Sequence, residues 1–396
     1  MRFPFCTARM VLQRSLLFWR GLSRFSLMAG LSLLLAVVCP LAAPAKENTG
    51  LGPLTISNQF PPTLPYLGFS PESTETLSSG RYELRYQYSR TNTFINSQSP
   101  RLKRNQQTGL TIDAADVAIG LTAANFPPSG YGMYLDMEAD RHRFRFLYGF
   151  SDRVELGLDL SWLSFSGGFM DDKITLVERL FGGLNKDREY SALHQFDYYL
   201  YKDGVPIHEV QDTPQRVMQD PVLKMKWAAM EGGNVLPAVS LLLTLKPSVI
   251  HNSDPVQRLA ASGGQDRGWA VLISKAVDDV VGHVQVGKTY LNVNSAFYEK
   301  IVHYKLFGME YRLSERNSFI VQSLSRSSMF LRSSALVNPT TSGPYNYGVS
   351  RPSDISVWGF IHRTPGFVFE LGTIEDYYQQ NNEADITFYL DMGWSW

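Results

Sequence analysis

Between Arg81 and Trp396 the connections that join β-prone stretches alternate long and short without exception. Tight ones fall near residues 151, 232, 278, 315 and 364. Looser ones span 90–130, 167–220, 248–266, 292–300, 327–353 and 375–384. This spacing predicts twelve long strands. A meander crossing one slab up and down produces such a pattern, with every tight turn on one side. A Greek-key sandwich would scramble it.

The strands themselves alternate. In Arg141–Ser166 one hairpin carries His142, Phe144, Phe146, Tyr148 and Phe150 on its first arm, then Val154, Leu156, Leu158, Leu160 and Trp162 on its second. Successive side chains of a strand point to opposite faces, so one face of this hairpin is apolar. The other face carries charge, glycine and serine. A secreted soluble β-sandwich would need those apolar faces to be internal. The export signal and the meander favour a membrane instead. Leu236–Leu245, the nearest approach to a spanning helix after the leader, is too short for one. A bilayer is crossed without helices only by a closed barrel, because lipid offers no partner to free backbone groups. The expected fold is therefore all-β, a transmembrane up-and-down antiparallel β-barrel of about 12 strands with long extracellular loops. Phe144, Phe146, Leu156, Leu158 and Leu160 are expected to face lipid, with Leu158→Arg costing more than Asp159→Asn.

Residues 1–45 read as a signal peptide. Arg2, Arg9, Arg14, Arg20 and Arg24 precede the apolar run Leu27–Val38, and Ala43-Pro44-Ala45 supplies small residues for cleavage near Ala45–Lys46. The expected location is the Gram-negative outer membrane. Both cysteines, Cys6 and Cys39, fall in that segment, so disulfides and thiolate metal sites are not expected in the mature chain. Without the five arginines, 32 basic residues face 37 acidic ones, a net of −5. Nucleic acid is not an expected partner. Residues 46–80, rich in Pro, Ser, Thr and Gly, read as a periplasmic leader, and 81–396 as the barrel. Its long external loop, 167–220, contains a helical spacing over Asp171–Leu180 and a small hairpin at Tyr198–Val210. A second short helix is expected over Asp113–Leu121.

The lumen-facing parity collects Arg143, Arg145, Glu155, Asp159, Lys224, Lys226, Glu370 and Asp391. With both signs present, these residues suit a salt-bridged polar filling, or a pore or binding site. Of the seven histidines, His142 shares the outward parity of Ser164 across the hairpin. A Ser/His pair at the far interface could attack a lipid ester. The same position suits an aromatic girdle with Trp162 and Phe165, and no third orienting residue is evident. No histidine spacing suggests a metal, and no cofactor is expected. The last strand places Phe388, Leu390, Met392, Trp394 and Trp396 on one apolar face. Such a terminal strand fits an assembly signal read by barrel-assembly machinery. Outer-membrane lipid and lipopolysaccharide are the expected surroundings of the outer face.

Phe144–Asp171, FRFLYGFSDRVELGLDLSWLSFSGGFMD, resembles a bacterial family known as domain-of-unknown-function family 3187. The resemblance rests on a strong hairpin, then S-G-G-F-M-D, then a helix ending near Phe181-Gly182, and extends from about Arg81 to Trp396. This chain departs in its polar 90–130 loop and in lacking glycine-rich strand starts before Leu223. The resemblance implies an outer-membrane barrel and brings no catalytic residues. The expected function is a narrow channel, a ligand-uptake barrel or a structural barrel. The alternative is an outer-membrane lipid-acting hydrolase using His142 and Ser164.

Overall fold

Period-two alternation becomes a closed wall in the computed structural model of the protein. The structure describes residues 50–96, 131–174, 194–202, 205–211, 216–250, 254–294, 296–331, 352–376 and 384–396. Three strands begin the wall: β1 (Tyr82–Asn96), β2 (Tyr131–Ser151) and β3 (Val154–Ser166). Three shorter ones follow: β4 (Asp197–Lys202), β5 (Val205–Gln211) and β6 (Arg216–Met218). The meander resumes with β7 (Val222–Met230), β8 (Ala238–Lys246), β9 (Asp266–Val277), β10 (Val280–Tyr290) and β11 (Ile301–Ser314). It ends with β12 (Asn317–Arg326), β13 (Ser353–Thr364), β14 (Phe367–Asp376) and β15 (Ile386–Ser395).

Pairing runs β1–β2–β3, then β7 through β15 in order, and β15 returns to β1. The result is a closed antiparallel barrel of twelve strands. Closure follows from the seam, where Glu83 to Asn92 of β1 pair with Ser395 to Ile386 of β15. Among the described residues no helix is long and apolar enough to cross a membrane. The first strand runs well past the sequence reading, which starts a loop at residue 90, and pairs with the extended first arm of the hairpin. There β1 continues to Asn96 and β2 begins at Tyr131, so the two rise together beyond the rest of the wall. The 167–220 loop also contains strands. Here β4 adds to the upper part of β2, β5 pairs with β4, and β6 caps β3. Of the helix expected at Asp171–Leu180, residues 170–174 are helical and the remainder lies outside the described residues, as does Asp113–Leu121.

Outward positions are apolar along the ring, including Phe146, Leu156, Met225, Phe307, Trp358 and Leu371, all exposed. Inward positions are buried and mostly polar, except on β12–β14, where Ile320, Val357, Ile361 and Val368 form an apolar inner face. Leu158 sits opposite Phe146 on one side and Leu223 on the other, inside this outer band. Leu158→Arg is expected to destabilise by ~2–4 kcal/mol near the bilayer midplane, read from the urea midpoint of refolding into lipid vesicles. An unchanged midpoint would place Leu158 away from lipid.

Gly149 marks where another part of the chain passes close against the wall. A Cβ there would lie 2.1 Å from the Ser78 carbonyl oxygen. That segment is residues 50–80, and it does not behave as a leader.

The lumen and the segment that fills it

The reading of 46–80 as a periplasmic leader is corrected here for residues 50–80. Leu54, Ile56 and Phe60 are completely buried, and Leu67 nearly so. The segment enters at the mouth bearing the tight turns and rises along β11, β12 and β14. It turns through a 3-10 helix at Pro61–Thr63 and descends along β9, β10 and β3. At the turn Phe60, Leu64 and Leu67 join Met133, Leu135, Leu163, Phe196 and Tyr198 in the largest apolar cluster. Apolar contacts anchor the segment at the apex and along its rising limb, where Leu51, Leu54 and Ile56 cluster with Ile320, Val357 and Ile361. Backbone groups buried along its flanks still need partners.

Those partners are side chains of the wall. Leu51 N–H donates to Glu310 Oε1 at 3.0 Å, and Leu54 N–H to Gln322 Oε1 at 3.1 Å. Thr55 donates through its N–H and its hydroxyl to Glu370 Oε2, each at 3.0 Å. On the descending limb Leu67 N–H reaches Asp266 Oδ2 at 3.0 Å, Glu72 N–H reaches Gln285 Oε1 at 3.1 Å and Leu77 N–H reaches Glu155 Oε2 at 2.9 Å. Pro53, Pro61, Pro62, Pro65 and Pro71 contribute no N–H at all, which reduces the number of donors the lumen must satisfy. An extended segment is thus held by side chains instead of strand pairing.

All eight expected lumen residues occur in this interior, and three charge clusters organise them. In the first, Arg85 Nε donates to Asp391 Oδ1 at 2.8 Å while Arg85 Nη2 pairs with Glu370. In the second, Asp159 takes Arg143 Nε at 3.0 Å, Lys224 Nζ at 2.9 Å and Arg145 Nε at 3.5 Å. Glu72, from the inserted segment, completes it through Lys224 at 2.7 Å and Arg145 at 3.5 Å. In the third, Lys226 Nζ lies 2.9 Å from Glu155 Oε1. The sequence reading missed Glu72 and Thr55 because both belong to the supposed leader. Leu51, Leu54, Ile56 and Phe60, too apolar for a solvated linker, were the available signal.

The second cluster reverses one expectation. Asp159 faces three cations, so Asp159→Asn is expected to cost ~3–5 kcal/mol, the scale of breaking a buried pair, and therefore at least as much as Leu158→Arg. The same refolding midpoints decide the order.

The structure places His142 and Ser164 in the wall without joining them. His142 lies opposite Trp162 and Tyr88, whereas Ser164 lies opposite Asp140 and Arg216. The imidazole stacks on Trp162 with centroids 5.2 Å apart, and its Nδ1 is 2.8 Å from the Tyr86 hydroxyl. This is an aromatic girdle arrangement. Among the described residues no group of three or more His, Cys, Asp or Glu is placed to hold a metal ion.

The S-G-G-F-M-D block docks on the raised part of β1 and β2. Gly168, at φ +60, lets the Glu138 carboxylate approach within what would be its Cβ. Glu138 there accepts the Met170 N–H at the start of the 170–174 helix and pairs with Arg90 at 2.8 Å. Arg90 lies 4.3 Å over the Phe169 ring, and Asp171 accepts from Asn92 and from the His194 N–H. Above the barrel, burial pushes the Tyr66 and Tyr298 phenols above their ordinary value. Burial, with Arg258 nearby, lowers His208 to about 4. These groups are therefore neutral near pH 7 and add no charge to the cap.

Three solved barrels show how the architecture compares. An outer membrane channel from Pseudomonas putida F1 covers 83% of this chain and 100% of its own, at 9% identity and a TM-score of 0.50. The toluene transporter TodX of Pseudomonas putida covers 88% of this chain and 96% of its own, at 8% identity and a TM-score of 0.32. The toluene transporter TbuX of Ralstonia pickettii covers 90% and 96%, at 9% identity and a TM-score of 0.34. The first shares the fold, and the barrel resembles outer-membrane proteins. No curated protein matches the chain. One family model matches residues 97–396.

Proposed function

For a chain that belongs to the family described as Protein of unknown function (DUF3187), we propose an outer-membrane channel or uptake barrel held shut by its own residues 51–79. The proposal includes export by the residue 1–45 signal, a Gram-negative outer membrane with lipopolysaccharide against the outer band, and assembly machinery engaging β15. One observation carries it. Leu51, Leu54 and Ile56 pack on apolar wall residues, but the backbone groups of the segment are bound by wall side chains at Glu310, Gln322, Glu370, Asp266 and Gln285, not by a strand ladder. Water can replace such contacts one by one, whereas a strand inserted in the sheet would have to break the barrel. The channel role printed for the Pseudomonas putida F1 barrel is consistent with the same use of the fold.

Planar-bilayer conductance tests the reading. The intact protein is expected to open rarely. Glu310→Ala combined with Gln322→Ala removes acceptors from Leu51 and Leu54. A loss of about 2 kcal/mol in two hydrogen bonds raises the open fraction roughly thirtyfold. Equal opening in both proteins would mean that residues 51–79 are a permanent filling and the barrel is structural.

A further inference from the structure

Between the inserted segment and the wall lies a cavity of about 100 Å³, bordered by Ser57, Arg141, Val222, Tyr304, Leu306 and Leu324 among others. It has room for roughly seven waters. Beside it, β3 pairs first with β6 and then with β7, and the residues between them are offset by one. The resulting bulge turns Gln219 and Asp220 inward, both buried. Bulges of this kind re-aim side chains next to functional sites.

Arg141 is the unusual member of the lining. Asp159 already takes Arg143 and Lys224, and Asp220 takes Lys246 at 3.1 Å. Although both line the same cavity, neither forms an ion pair with Arg141. Its guanidinium reaches only the Ser57 and Ser161 hydroxyls, each at 3.5 Å, and its Nε is buried with no hydrogen-bond partner. A cation left this way in an interior is costly, and an anion arriving beside it recovers that cost. The lining also holds Asp159 and Asp220, each already paired with cations, and is apolar at Val222, Leu306, Leu324 and Tyr304. We propose that this cavity is a binding site for a small monocarboxylate, with the carboxylate on Arg141 and a short apolar tail toward Leu306 and Leu324. The inference rests on the plugged-barrel reading only for the route by which the solute arrives.

Calorimetric titration of the detergent-folded full chain provides the test, with sodium butyrate as the probe and butyramide as its uncharged counterpart. Butyrate is expected to saturate one site and butyramide to bind at least tenfold more weakly. Arg141→Gln should weaken butyrate at least tenfold while leaving the heat-modifiable folded band unchanged, and Arg141→Lys should restore part of the affinity. Ser57→Leu keeps the charge and fills the space, so it too should abolish binding, and it decides the matter if Arg141→Gln does not fold. Arg81→Gln, at an exposed position outside the cavity, should bind as the intact protein does. Absence of butyrate binding, undiminished binding in Arg141→Gln, or binding of inorganic phosphate in place of butyrate would overturn the assignment. Butyrate binding alongside unchanged conductance in the Glu310→Ala, Gln322→Ala protein would leave the site standing and remove the channel.

Discussion

Removal of Trp394, Ser395 and Trp396 is expected to eliminate the folded barrel from the outer-membrane fraction, with the chain accumulating in the periplasm and being degraded. These residues close the ring. Trp394 pairs with Leu84 on one side and Phe367 on the other. The Trp396 N–H donates to the Tyr82 carbonyl at 3.0 Å, and the Tyr82 N–H returns the bond to Trp396 at 3.1 Å. The rings continue the contact, Trp396 stacking on Tyr82 at 6.3 Å and Tyr82 on Tyr148 at 4.8 Å. Truncation leaves the first residues of β1 with an open edge at the membrane, where each unsatisfied backbone group costs several kcal/mol. A soluble sheet would tolerate the loss of three terminal residues far better. The measurement is the amount of heat-modifiable protein after fractionation. Trp396→Phe keeps the backbone pair and an aromatic ring, so it should assemble normally. Wild-type amounts of folded barrel after the deletion would show that the seam does not depend on its last residues.

This seam was readable from residues alone because Phe388, Leu390, Met392, Trp394 and Trp396 share one parity, and because the tight connections near 151, 278, 315 and 364 punctuate the strands. Strand parity also picked out Arg143, Asp159 and Glu370 as inward-facing. Residues 51–79 escaped for a definite reason. Their hydrogen bonds end on wall side chains, so nothing obliged them to alternate, and their prolines imitate the composition of a linker. The upward continuation of β1 to Asn96 was hidden in the same way. Arg90, Asn92 and Asn96 are polar, yet the stretch is sheltered by β2 and by the S-G-G-F-M-D block instead of lipid. Periodicity reports which solvent lies on each side of a strand, and it falls silent where both sides are protein.

Arg85→Met is expected to lower the stability of the barrel by ~3–5 kcal/mol, the scale of leaving buried charge without its partner. Glu370 is fully buried and Asp391 nearly so, and Arg85 stands between them. Thr55 and Gln87 also donate to these carboxylates, Gln87 Nε2 reaching Asp391 Oδ2 at 3.1 Å. Neutral donors do not replace a guanidinium in countering two like charges. The temperature at which the compact gel band converts to the unfolded one should fall clearly. Adding Glu370→Gln removes one of the stranded carboxylates and should recover much of the loss, which a double-mutant cycle measures directly. Unfolding of Arg85→Met at the temperature of the intact protein would mean that the two carboxylates do not depend on Arg85.

The two ends of the inserted segment leave through the same mouth. Leu51 sits against Glu310, close to the β11–β12 turn, and Ser79 donates to Asp152 in the β2–β3 turn at 2.9 Å. A strand threaded from one opening to the other would resist a pull by shear, all its bonds loaded together. This chain is folded back on itself, so tension on its N-terminal side peels Leu51, then Leu54, then Thr55. Each step breaks hydrogen bonds worth about 1 kcal/mol apiece and, at Leu51, Leu54 and Ile56, apolar packing worth about 1.5–3 kcal/mol per side chain. The segment therefore yields stepwise to a pull from the mouth that bears the tight turns, whereas a push from the opposite mouth presses the Phe60–Leu67 bend against the whole set of contacts at once.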